Sequence, residues 1–114
     1  LAKKINVLTT VDIELPALTR DVEVLEELLK ILKENSAIRS MAYCYVHTIL
    51  QTTKHDVLSL KKMMEQVIND TQKSNLKAEL KDDLGLLNNL LNRCEKLEGE
   101  FRPYLFCPAL EEQS

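Results

Sequence analysis

Cys44 and His47 come nearest to chemistry in this chain, because three residues apart on a helix they share a face. With Cys94 or Cys107 they could complete a four-ligand zinc set. Cys44 also falls in an apolar helical stripe, where a reduced thiol serves as a small hydrophobe, so no metal and no cofactor is expected. A nucleophilic Cys–His pair fails for the same reason, since a buried thiol lacks the exposure and positive surroundings that activate it.

The paired acids Glu26-Glu27, Asp82-Asp83 and Glu111-Glu112 are the other candidates for general acid–base work. Neighbours on a helix point about 100° apart and do not converge on one substrate, so these pairs read as solvated faces. Lys3-Lys4 and Lys61-Lys62 are too small to make a phosphate surface, and neither a Gly-rich phosphate loop nor a nucleophile elbow is present. The chain is expected not to be an enzyme.

Composition narrows the class further. In 114 residues, 45% are apolar and 29% charged, enough for one packed core and too apolar for a disordered tail. Only 2 Gly and 3 Pro interrupt it, which favours long helices. A net charge of −3 argues against a nucleic-acid surface, and no apolar run is long enough to cross a bilayer. The start at Leu1 instead of Met reads as a piece of something longer. Three cysteines, an odd number, point to free thiols and an intracellular protein, cytoplasmic or nuclear. The triplet Asn69-Asp70-Thr71 matches the N-glycosylation pattern and is taken here as a chance match.

The elements that must carry these residues are helical. Leu18, Val22, Leu25, Leu29 and Leu32 step by four and three and predict a helix over 16–34, opened by Pro16. A long central helix is predicted over 37–70, with Ser36 as its cap. Its stripe reads Ile38, Ala42, Tyr45, Ile49, Thr52, then slips near Thr53 to Val57, Leu60, Met64 and Val67. Extra apolar residues in the first half should place that half deeper. After a polar loop from Asn69 to Asn75, Leu80, Leu87, Leu90, Cys94, Leu97 and Phe101 predict a third helix over 76–102. Asp83 interrupts this stripe, and Gly85 sits inside the helix. Residues 1–15 read as an extended arm or short helix, and the apolar tail 103–114 as folded back over the bundle.

The expected fold is therefore all-α: one domain over 1–114, an antiparallel three-to-four-helix bundle whose central helix outreaches the first. The overhang should be a two-helix hairpin that leaves Leu58, Met63, Leu84 and Leu86 unpaired, a surface for another helix. Tyr43 and His47, off the stripe, and Tyr104 and Phe106 in the tail add candidate contacts. The function expected is a protein–protein interaction module, a scaffold or adaptor that docks a helical partner or self-associates. The alternative is a secreted four-helix, cytokine-like ligand.

Overall fold

The computed structural model describes residues 2–35 and 40–104, with side chains over 9–35 and 42–103. The expected Ser36 cap, Ile38 and the tail with Phe106 and Cys107 lie outside the described residues. The fold is an all-α bundle of three helices: α1 (Ala2–Glu34), α2 (Ser40–Asp70) and α3 (Ser74–Phe101). A 3-10 turn, Arg102–Tyr104, follows α3.

Cross-links between helices set their directions. Glu26 pairs with Arg93, 67 residues apart, and Lys33 approaches Glu100 at the same separation (100 − 33 = 67), so α1 and α3 run parallel. Lys54 pairs with Glu98 and Tyr43 meets Phe101, so α2 runs against α3. The rod measures 54 × 30 × 19 Å.

Each helix buries residues spaced alternately three and four, the seam of coiled-coil-like packing. On α1 the seam is Val11, Leu15, Leu18, Val22, Leu25, Leu29 and Leu32. It crosses Pro16 without losing register, so of the two readings of residues 1–15, extended arm or short helix, the helical one holds, as part of one longer helix. The proline is tolerated because it faces solvent, as does Asp12, whose carbonyl loses its helical donor and can be hydrated instead. Just beyond, the Thr19 hydroxyl donates to the Leu15 carbonyl at 2.8 Å. Six β-branched residues in this stretch weaken its helix propensity, but burial of Val11 and Leu15 outweighs that.

The lengths change accordingly. α1 spans 33 residues against 31 for α2 and 28 for α3, so the central helix does not outreach the first and no two-helix hairpin projects.

The seam of α2 also differs from the expected one. Tyr43, Val46, Leu50, Thr53, Val57, Leu60, Met64 and Val67 are buried in steps of three and four with no slip. Thr48 and Thr52 donate to the carbonyls of Cys44 and Thr48, four residues back, so these hydroxyls stay inside a continuous helix and cap no break. Tyr43 is buried and Tyr45 is 71% exposed, the reverse of their expected roles. With Tyr45 and Ile49 outside, the first half of α2 is not the deeper half.

The α2–α3 connection is three residues, 71–73, shorter than the expected loop. Thr71 is buried there, and its Oγ1 accepts the Lys73 N–H at 3.3 Å. The seam of α3 is the one read from sequence, Leu80 through Phe101. A side chain at Gly85 would meet nothing within 4 Å, so no close packing demands glycine there.

Candidate functional site

An apolar opening lies between α1 and α2. An open groove of about 600 Å³ is lined on α1 by Arg20, Asp21, Val24, Leu25 and Leu28, and on α2 by Tyr45, Thr48, Ile49, Thr52, Thr53 and Asp56. Val24 is 51% exposed and Ile49 40%, on either side of the still more open Tyr45. A second hollow of about 460 Å³, bounded by Glu14, Ala17, Asp21, Asp56, Ser59 and Met63, shares Asp21 and Asp56 with the first. The two therefore form one furrow along the bundle. Its end near Tyr45 is apolar, and its middle carries Glu14, Asp21 and Asp56 against, among the described residues, the one cation Arg20.

Helix geometry explains why these residues are left over. Val24, Leu28 and Ile31 follow each other at four and three on α1, a second apolar stripe beside the buried seam. Tyr45 and Ile49 do the same on α2. Helices buried on one seam normally show water a polar face. Here the flank facing the furrow is apolar on both sides, and that surplus is what sequence reading mistook for the α2 seam.

The residues expected to bind a partner do not gather on one face. Met63 is half-buried and lines the furrow, while Leu58 is exposed five residues earlier, about 140° around α2. Leu84 packs against the core and Leu86, two residues on, is exposed on the far side of α3. Tyr43 and His47 meet edge-on the ring of Phe101, at centroid distances of 6.3 and 6.0 Å. Tyr104 belongs to the 3-10 turn, and Phe106 lies outside the described residues.

Beside Phe101 runs a polar ladder. Lys54 Nζ lies 2.6 Å from Glu98 Oε1, Gln51 hydrogen-bonds Glu98, and Gln51 Nε2 lies 3.3 Å from His47 Nε2. Burial alone would raise the Glu98 carboxyl. The hydrogen bonds from Lys54 and Gln51, with the charges of Lys54 and His47, outweigh it and hold Glu98 below the usual glutamate value. The ladder fastens α2 to α3.

Asp83 stands at a seam position of α3, half-buried. Loss of water raises its carboxyl above the ordinary aspartate value, and Glu79, Asp12 and Asp82 raise it further. Its ionised form is thus disfavoured by folding, a cost present at neutral pH and relieved as pH falls through the raised value. Asp83→Asn should raise the melting temperature at pH 7, with the gain vanishing below the unfolded value of 3.8, where both forms are uncharged. Thermal melts at the two pH values check this.

The cysteines separate. Cys94 is a free, fully buried thiol, raised by burial first and by Glu98 next, as expected of an inert core residue. Cys44 is half-buried and disulfide-bonded, which overturns its reading as a reduced seam residue and removes it as a zinc ligand. Spacing gave no sign of this, because a cysteine on an apolar helix looks alike in either state. Among the described residues no three His, Cys, Asp or Glu side chains cluster as a metal site would require. No described helix is long and apolar enough to cross a membrane. No protein-family model matches the chain, and no curated protein or solved structure matches it significantly.

Proposed function

We propose that this chain is a non-enzymatic protein-binding bundle that seats one helix of a different protein in the α1–α2 furrow. The observation that carries the reading is the furrow itself, two adjacent helices turning apolar flanks outward around Val24, Leu28, Tyr45 and Ile49. Helix-in-groove recognition uses such a surface, with anchors at i, i+3, i+4 and i+7 of the guest. The carboxylates of Glu14, Asp21 and Asp56 select a guest with lysines or arginines flanking its apolar stripe.

A synthetic amphipathic helix with leucine anchors and lysine flanks is the probe. Its NMR shift changes should fall on Val24, Leu28, Tyr45 and Ile49. Tyr45→Asp with Ile49→Asp should weaken it tenfold or more, about 1.4 kcal/mol, while helical content stays constant. Equal binding by the double variant, or by a peptide with glutamate flanks, would overturn the reading. Sedimentation equilibrium adds the competing outcome: a dimer that dissociates on the same substitutions would make the guest a second copy.

The disulfide at Cys44 favours a second element of the reading, maturation in an oxidising compartment as for a secreted helical ligand. The three-residue α2–α3 connection does not suit bundles of the cytokine type, which need long crossovers. A secreted binding module is thus preferred to both a cytokine and an intracellular adaptor. Maleimide labelling should find Cys44 only after reduction, and Cys94 without reductant once the chain is unfolded. Reaction of Cys44 in the native, unreduced protein would sink the oxidising assignment.

A further inference from the structure

We infer that Asn69 is an N-glycosylation site, carrying its glycan at the tip of the bundle where α2 ends. Asn69-Asp70-Thr71 is the single Asn-x-Ser/Thr triplet in the chain, with Asp and not Pro at the middle position. Alone it would be a chance match. Two features of the structure change that. The Cys44 disulfide fits an oxidising compartment, the part of the proposed reading on which this inference rests and the place where N-glycans are attached. Asn69 is also exposed, in the last turn of α2 beside the 71–73 connection, so a bulky substituent meets no packed neighbour. The two features are independent of the furrow, and the inference stands or falls without it.

The reaction is a group transfer with this chain as acceptor. The Nδ2 amide nitrogen of Asn69 forms a bond to the anomeric carbon of an oligosaccharide carried on a polyprenyl diphosphate. The bond from that carbon to the diphosphate oxygen breaks, the lipid diphosphate leaves, and the amide gives up one proton. In the folded chain Thr71 is buried and its Oγ1 holds the Lys73 N–H, so its hydroxyl is inaccessible there. Transfer therefore precedes closure of the α2–α3 turn. Placement follows as well. Twenty residues of α2 separate Asn69 from Ile49, about 30 Å at 1.5 Å per residue, which leaves the apolar end of the furrow uncovered.

The test is the intact mass of the chain purified from the cells that naturally make it, before and after peptide-N-glycosidase. The expected result is loss of one oligosaccharide, with Asn69 converted to Asp in the peptide map. Asn69→Gln should abolish the mass loss and leave helical content unchanged, since the side chain is exposed. Thr71→Ser should retain it. Unmodified Asn69 in the purified chain overturns the inference, and so does a glycosidase-sensitive mass that survives Asn69→Gln.

Discussion

Val11→Asp should unfold the bundle or cost about 4 kcal/mol or more, the range for burying an unpaired charge. Val11 is only 1% exposed and belongs to the α1 seam, five residues ahead of a proline that local reasoning takes as a helix start. If residues before Pro16 formed a loose arm, a charge at Val11 would be within about 0.5 kcal/mol of neutral, as at other surface positions. Urea denaturation separates the two by several kcal/mol. Asp at Ile13, which is exposed on the same helix, is the control and should be nearly silent.

Phe101→Ala should cost about 3–5 kcal/mol, the usual range for emptying an aromatic core site. Phe101 is the last residue of α3 and has no exposed surface. Tyr43 meets it at 79° between ring planes and His47 at 62°, so one ring closes the α2–α3 seam at that end. At about 4 °C per kcal/mol, the melting temperature should fall by roughly 12–20 °C. Phe101→Leu retains most of the volume and should lose about 1 kcal/mol or a little more, the share due to ring–ring geometry. Equal losses for Ala and Leu would mean that volume at this site is unimportant.

How far the sequence could be read depended on how many registers each stretch allowed. From Leu18 to Leu32 and from Leu80 to Phe101 the apolar spacing admits one dominant seam, and both seams are those observed. In α2, residues 41–46 are apolar without a break, and Ile49 and Leu50 follow, so two registers fit equally well locally. Only the register through Val46, Leu50 and Thr53 joins Val57 without a slip, and it requires a threonine in the seam. The other register carries a threonine as well, Thr52, so the two differ only in continuity with the second half of the helix, which local counting does not weigh. The residues left out by the true register, Tyr45 and Ile49, became the proposed furrow. The candidate site was therefore hidden by the same surplus that created it. Pro16 misled in a simpler way, since a single missing donor on the solvent side is too small a penalty to end a helix whose other face is packed.

An odd number of helices has a mechanical consequence. α1 begins at one pole of the 54 Å rod and α3 finishes at the other, so any segments joined to the two ends would leave in opposite directions. Tension between them would act along the helix axes and slide α1 past α3. The Glu26–Arg93 and Lys33–Glu100 pairs and the neighbouring seam residues would then resist together, as a strut does, where a bundle with both ends at one pole would peel apart contact by contact.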